Sequence, residues 1–294
     1  MKSQDPSVGR PKHVAVFEGG EEAKKRMVQA MKAVVSVQPR RTQTSTHVIH
    51  HTPRISAAKL AEYAMADHSR QETIRKQSKN APIAVIPWYQ KTRDALPEAF
   101  GPSGIDPVKL TEAAARIDAI KLGPDDEWVA NDNKRSAEGL RKIAAIAPMI
   151  DCANSILVPR PGKSWGGLPI QGVYVSVNPD MVFSFTERGV KKVGGVILNT
   201  GQGENLSLAR GNGRNTVGDY LTTLLYMMLE LRLKTEGVPA PGRCYAIDMF
   251  RSQVYSAPRS HKTLVKNLEA ACRTISEMWA SIPVSSTPEE EIIM

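Results

Sequence analysis

The chain has 294 residues, of which 41% are apolar and only 5% aromatic, enough for a buried core in one large domain or two small ones. No stretch approaches the roughly 20 consecutive apolar residues of a membrane-spanning helix, and the polar segment Met1–Lys12 is unlike a secretory signal. The formal net charge of +9 favours anionic partners, and of these we predict nucleic acid, DNA or RNA, rather than a membrane.

Cysteine usage indicates the redox compartment. Cys152, Cys244 and Cys272 lie far apart, without the paired spacing of a zinc site and without the even number of a disulfide framework. We therefore predict three buried, reduced thiols and a cytoplasmic location.

Residues 1–54 are predicted to form a basic, partly disordered arm, in which lysine and arginine alternate with serine, threonine, glutamine and proline. A helix over Glu21–Val35 fits the apolar spacing there, and the run from Gln38 to Thr46 is typical of a linker. Basic arms often lie along phosphate backbones, whereas the alternative is a solvated tail.

Residues 55–150 are predicted to be mainly helical. Ser56 is suited to cap a first helix, and Asp106, followed by proline at the first helical position, marks the start of another. A third helix is expected over Ser136–Ala147, where apolar residues recur at helical spacing until a proline ends the pattern.

Residues 151–283 have a different pattern and are predicted to form an α/β core. Valine alternates with polar residues over 173–178, at the two-residue period of a strand. Further strands are expected over Met181–Phe185 and Lys192–Asn199, joined by a short turn.

The rest of this core is predicted to contain two helices and a second hairpin. The first helix, over Val217–Thr235, is so strongly apolar that it is either fully buried or holds a dimer partner. The hairpin follows, and the last helix begins near Ser260. Residues 284–294 form a predicted acidic tail.

The succession of helix, hairpin, helix and hairpin over residues 134–258 includes Pro179-Asp180 at the end of its first predicted strand. This arrangement resembles the PD-(D/E)xK nuclease superfamily, whose core has a helix, a three-stranded meander, a helix and a further strand. The resemblance implies an α/β (α+β) fold of the restriction-endonuclease type, with a helical N-terminal region followed by a small mixed sheet flanked by helices.

In that superfamily an aspartate at the end of one strand and an acid-x-lysine on the next bind a divalent cation that polarises the phosphate. The resemblance implies Asp180 as the first ligand, but Gly195–Asn199 on the next strand has neither an acid nor a lysine. Glu204, just beyond that strand, and Glu138, on the preceding helix, are the acids left to complete a catalytic set, with Asp180 and Glu204 as Mg²⁺ ligands. Alternatively, Asp180 caps a turn and Glu138 lies on a solvated helix face.

The segment Ala209–Thr216 is rich in glycine and contains Arg210 and Arg214. Glycines allow close approach of the backbone, arginine forks match phosphate, and a helix beginning near Val217 would direct its N-terminal amides to the same place. The segment lacks the lysine spacing of a nucleotide-hydrolysing P-loop. It therefore predicts a contact with a phosphate backbone, with a flexible connection as the alternative interpretation.

Three functions are compatible with the sequence. The first is a nucleic-acid-binding protein with a degenerate PD-(D/E)xK-like core and no cofactor, in which Arg210, Arg214, Lys191 and Lys192 contact phosphate. The second is an Mg²⁺-dependent nuclease with a rearranged site. The third is a structural or adaptor subunit that binds a protein partner or forms a homo-oligomer. The resemblance also implies a bacterial or phage setting, in a mobile element or in defence.

Overall fold

The computed structural model describes residues 41–43, 47–82, 89–123, 126–160, 165–200, 216–258 and 261–284, and all of them belong to the unit Pro39–Met294. The predicted helix over Glu21–Val35 lies outside these residues. Within them the chain forms seven α-helices: α1 (Ala57–Met65), α2 (His68–Lys79), α3 (Gln90–Glu98), α4 (Pro107–Asp118), α5 (Glu127–Ile146), α6 (Val217–Arg232) and α7 (His261–Met278). The same residues form thirteen strands: β1 (Arg41–Gln43), β2 (His47–His50), β3 (Arg54–Ser56), β4 (Asn80–Pro82), β5 (Phe100–Gly101), β6 (Gly104–Ile105), β7 (Ile156–Leu157), β8 (Gly167–Ile170), β9 (Val173–Ser176), β10 (Met181–Glu187), β11 (Val190–Asn199), β12 (Val238–Asp248) and β13 (Gln253–Ser256).

Five strands form the central sheet, in the order β13-β12-β11-β10-β7. β10 and β11 form the predicted hairpin and pair antiparallel, with Met181 opposite Val196. β7 and β13 also pair antiparallel with their neighbours, whereas β11 and β12 run parallel, with Asn199 opposite Asp248. A parallel pair needs a long crossover connection, and α6 lies in this one.

The two faces of the central sheet are covered by different helices. On one face, alternate side chains of β10, β11 and β12 share a buried hydrophobic cluster with α3, α4 and α5. These sheet residues are Met181, Phe183, Phe185, Val196, Leu198, Tyr245 and Ile247. On the other face, a side-chain carbon added at Gly195 would lie 3.5 Å from Leu225 of α6, and α1 and α7 pack against α6 in turn. The central sheet therefore lies between two helical layers.

α6 is buried because it lies between the central sheet and the two helices α1 and α7. Six of its large side chains are at most 3% exposed: Tyr220, Leu221, Leu224, Leu225, Met228 and Leu229. The continuous apolar pattern is thus accounted for by burial within the chain. The helix ends at Arg232, slightly before the predicted end at Thr235, and a turn follows.

α5 is longer than the sequence predicts, since it begins at Glu127 rather than near Ser136. Asp132 and Asn133 occupy buried positions in its N-terminal half, so the apolar periodicity that would predict this part is missing. The carboxylate of Asp132 accepts a hydrogen bond from the N–H of Tyr89 at 2.8 Å, and the Asn133 side chain accepts one from Lys91. The first part of α5 was therefore not predicted, because its buried positions make polar contacts with α3 and the N-cap residue of α3.

The predicted starts of α1 and α4 are confirmed. The Ser56 hydroxyl accepts a hydrogen bond from the N–H of Lys59 at 3.3 Å, and the Asp106 carboxylate accepts one from the N–H of Val108 at 2.9 Å. Such caps satisfy amides that have no partner inside the helix, which is why serine and aspartate predict helix starts.

Residues from distant parts of the chain meet beside α7. β3 pairs in parallel with β9, and the buried ammonium of Lys79 donates to the carbonyls of Trp279 and Ile282 at 2.9 and 2.8 Å. The fold is mixed α/β, as predicted, with helices around several small sheets. The divisions predicted after residues 54, 150 and 283 stay predictions.

The three cysteines are buried and free, as predicted. Burial raises the pKa of Cys272 to about 12, and it also raises the pKa of Cys152 and Cys244. Because the thiolate is the reactive form, these residues are packing groups rather than nucleophiles.

Candidate functional site

Polar residues meet where β11 and β12 end and β10 begins. Asn199 lies opposite Asp248 in the parallel pair, and the N–H of Asp180 donates to the carbonyl of Val196 at 2.8 Å. Ligands of α/β proteins commonly bind outside the carboxyl ends of parallel strands. We call Asp180, Asn199, Thr200 and Asp248 the polar edge of the sheet.

Asp180 is the most buried charge of the polar edge, with a side chain that is 2% exposed. Its Oδ1 accepts a hydrogen bond from the guanidinium of Arg93, and its Oδ2 accepts one from the N–H of Leu198 at 2.6 Å. Burial raises the pKa of Asp180, and the Arg93 guanidinium, the Leu198 N–H and Arg160 act in the opposite direction. Both carboxylate oxygens are therefore engaged by groups of the chain itself.

The position of Asp180 differs from the sequence-based expectation. It lies directly before β10 instead of at the end of the preceding strand, which stops at Ser176. Its carboxylate caps the end of the neighbouring strand β11 through the N–H of Leu198. The alternative interpretation predicted that Asp180 caps a local turn, whereas its carboxylate contacts Leu198 of the neighbouring strand β11.

The second predicted catalytic acid, Glu138, lies on the solvent side of α5. Its side chain is 58% exposed and forms an ion pair of 2.8 Å with Lys142, one helical turn away. The hydrogen bond from Lys142 lowers the pKa of Glu138. Asp180 instead accepts hydrogen bonds from Arg93 and Leu198, so the structure does not pair the two acids.

A resident Mg²⁺ ion needs several oxygen ligands at octahedral positions. Among the described residues, Arg93 and Leu198 each donate a hydrogen bond to one carboxylate oxygen of Asp180. Within the described ranges, no group of three or more histidine, cysteine, aspartate or glutamate side chains is placed to hold a metal. Glu204, the other predicted ligand, lies outside the described residues.

Asp248 and Arg251 form a second buried acid–arginine pair, which the sequence did not predict. The Asp248 side chain is 6% exposed and pairs with the Arg251 guanidinium at 2.8 Å. It also accepts hydrogen bonds at 3.0 Å from the N–H groups of Phe250 and Arg251. The sequence signal available for Asp248 was its position before a short turn, because aspartate side chains often cap such turns.

The N-terminus of α6 is capped from within the chain. The Thr216 hydroxyl accepts from the N–H of Asp219 at 3.2 Å, and the Asp219 carboxylate accepts from the N–H of Thr216 at 2.7 Å. The predicted helix start is confirmed. However, the carboxylate of Asp219 already occupies the position where an anion would be favoured. Arg210 and Arg214 lie outside the described residues.

Lys191 and Lys192 lie at the opposite end of β11 from the polar edge. Lys192 lies seven positions before Asn199, which is about 23 Å along a strand. Lys191 pairs with Glu236 at 3.3 Å, and Lys192 pairs with Glu187. The structure thus separates these two lysines from Asp180.

A cleft of about 390 Å³ opens beside the Arg93–Asp180 pair. α3 forms one wall, and the segment after β7 forms the other, held to β10 by the hydrogen bond from the N–H of Val158 to the carbonyl of Val182 at 2.8 Å. We call it the Arg93 cleft, and its lining residues are Arg93, Asp94, Pro97, Leu157, Val158, Pro159, Arg160, Trp165, Asp180, Met181 and Val182.

Neither Arg93 nor Arg160 was among the site residues predicted from the sequence. Arg93 lies 87 residues before its partner Asp180, on a short helix whose composition is ordinary for a solvent-facing segment. No local spacing connects two residues so far apart, so only the folded chain reveals the pair.

The chain matches no protein-family model and no curated protein. Among the helices that the structure describes, none is long and apolar enough to cross a membrane.

Proposed function

We propose that this protein binds nucleic acid through phosphate contacts and does not cleave it at Asp180. The observation that carries the proposal is the hydrogen-bonded ion pair between Arg93 and Asp180. An arginine occupies the carboxylate to which the PD-(D/E)xK resemblance assigns a metal ion. The buried acid thereby holds an arginine at the mouth of a cleft.

The order of elements supports the resemblance on which this proposal builds. α5 precedes β7, β10 and β11, which are antiparallel neighbours in the central sheet, and α6 and β12 follow. In the chain, β8 and β9 lie between β7 and β10 and belong to another sheet, so the order resembles the succession of helix, meander, helix and strand with an inserted hairpin. β11 brings Leu198 beside Asp180, at the place where an acid-x-lysine is expected.

Arginine side chains around the polar edge support phosphate binding. Arg93 and Arg160 line the cleft, and Arg251 is fixed by Asp248 with its side chain 34% exposed. In the sequence, Arg210 and Arg214 lie ten and fourteen positions after Thr200, whose hydroxyl lies 3.5 Å from Arg93. Arginine is suited to such a site because its fork binds two phosphate oxygens at once.

Fluorescence anisotropy with duplex DNA, single-stranded DNA and RNA tests the proposal. We expect an affinity that falls steeply as salt rises, because each neutralised phosphate releases counterions. Replacing Arg210 and Arg214 with alanine removes two phosphate contacts and reduces the logarithmic salt slope by roughly 1.8 for duplex DNA. The Lys191→Ala/Lys192→Ala variant tests the hairpin lysines in the same way.

The matched control is Lys266→Ala/Arg273→Ala, which removes two exposed cations from α7 and is expected to leave the slope unchanged. Absence of salt-dependent binding to all three nucleic acids would overturn the proposal and favour an adaptor that binds a protein. Mg²⁺-dependent cleavage that Asp180→Asn abolishes would favour the nuclease instead.

A further inference from the structure

Arg93 is a cation held in place before any ligand arrives. Its guanidinium, whose side chain is 25% exposed, binds Asp180 through Nη1 and approaches Thr200 through Nη2. Arginine has five N–H donors, and its contacts with the described residues use two of its nitrogens, which leaves donors for a ligand. Because the side chain is already ordered, a ligand loses little affinity to conformational entropy.

Arg160 brings a second guanidinium to the same cleft. It is exposed, and its Nη2 lies 3.4 Å from the carbonyl of Pro179. Leu157, 36% exposed, and the exposed ring of Pro159 stand beside it. The cleft therefore combines two anion-binding groups with an apolar surface.

The two acids of the cleft have different exposure. Asp180 is 2% exposed and is covered by Arg93, so a ligand meets the guanidinium rather than the carboxylate. Asp94 is exposed at the rim, where its Oδ1 accepts from Gln90 at 2.8 Å. A negatively charged ligand is therefore attracted by two arginines and repelled by one accessible carboxylate.

We propose that the Arg93 cleft binds one nucleotide unit, with its phosphate on Arg93 and Arg160 and its sugar and base against Leu157 and Pro159. This inference rests on the proposed function and names the ligand of the cleft. A volume of about 390 Å³ is in the range of small-ligand pockets. Because a cleft of this size holds a single nucleotide, the ligand is the terminal nucleotide of a strand or a free mononucleotide.

Titration calorimetry on the whole protein tests the site with cytidine 5′-monophosphate, inorganic phosphate and cytidine. We expect the nucleotide to bind more tightly than either part. Arg160→Ala should weaken nucleotide binding about tenfold or more, since a charged hydrogen bond is lost. Asp94→Asn should strengthen it a few-fold, because the repelling charge is removed. Arg273→Ala, on α7, is the control for a lost surface arginine.

Oligonucleotides with a phosphate or a hydroxyl at the 5′ or 3′ end distinguish the two sources of the nucleotide. A preference for a phosphorylated end that Arg160→Ala removes identifies a strand terminus, whereas binding of the mononucleotide without such a preference identifies a free nucleotide. This inference is overturned if neither a preference for a phosphorylated end nor binding of the mononucleotide is observed. If the hydroxyl-ended duplex then still binds in a salt-dependent way, the proposed function stays intact. Failure of the duplex to bind at all contradicts the proposed function separately.

Discussion

The two ends of β11 carry ion pairs of similar chemistry in different surroundings. At the polar edge, the carboxylate of Asp180 is 2% exposed and fixed by Arg93 and the backbone. At the hairpin end, Lys191 and Glu236 are 56% and 40% exposed. Water compensates the loss of an exposed pair, but it does not reach a buried charge that loses its partner. The pair at the polar edge therefore depends on its partner more strongly than the pairs of the hairpin lysines do.

Arg93→Ala is expected to have the largest effect on stability. It leaves the Asp180 carboxylate buried without its cation, which costs about 3–5 kcal/mol of unfolding free energy. Urea denaturation measures the loss, with Arg273→Ala as a control that should stay near wild type. A loss below about 1 kcal/mol would show that Asp180 does not depend on Arg93.

The cost of Arg93→Ala should depend on pH. Burial raises the pKa of Asp180 and Arg93 opposes that rise, so removing Arg93 raises the pKa further. The folded variant then binds a proton at pH values where folded wild type is ionised, and its stability recovers as pH falls through this raised pKa. The stability difference between the two proteins should shrink as pH falls through the raised pKa of Asp180 in the variant. A difference that is constant with pH would contradict this assignment of the charge.

Asp180→Asn should cost less than Arg93→Ala, about 1–3 kcal/mol. Asparagine keeps an oxygen that can accept from the N–H of Leu198, and Arg93 is a quarter exposed, so water can solvate it. The double variant Arg93→Ala/Asp180→Asn should be more stable than Arg93→Ala alone, because no buried charge remains. Additive losses in this double-mutant cycle would mean that the pair is not coupled.

The smallest effect on stability is expected at the hairpin end. Lys191→Ala/Lys192→Ala should leave the melting temperature unchanged within error, because both lysines form exposed pairs. The same variant should weaken nucleic-acid binding at low salt, and Glu187→Gln/Glu236→Gln should strengthen it by releasing the two lysines. A clear loss of stability in the lysine variant would remove the contrast between the two ends of β11.

Local patterns predicted five of the seven described helices and the strands from β9 to β13, because the causes of these elements are local. Ser56 and Asp106 predict helix starts, since a cap needs only one side chain and the next few backbone amides. Alternation and turn residues predicted the β10–β11 hairpin for the same reason. α5 was predicted too short, because Asp132 and Asn133 use buried positions for polar contacts with another part of the chain.

The candidate site was predictable only in part. Asp180 was predicted as a site residue because a proline precedes it, and the structure shows that it is buried. Glu138 was selected by its place on the preceding helix, but its contact is with Lys142 on the surface. Arg93 and Arg160 were not predicted as site residues, whereas the position of Asp248 before a short turn was a local signal.

The sequence by itself determined the basic charge, the buried cysteines, the boundaries of several helices and the mixed α/β class. These follow from composition and from periodicities that act over a few residues. Only the tertiary structure decided that β11 and β12 run parallel, that α6 fills the layer beneath them and that Arg93 meets Asp180. Long-range pairs depend on how separate elements pack, and this packing leaves no spacing in the sequence that would reveal it.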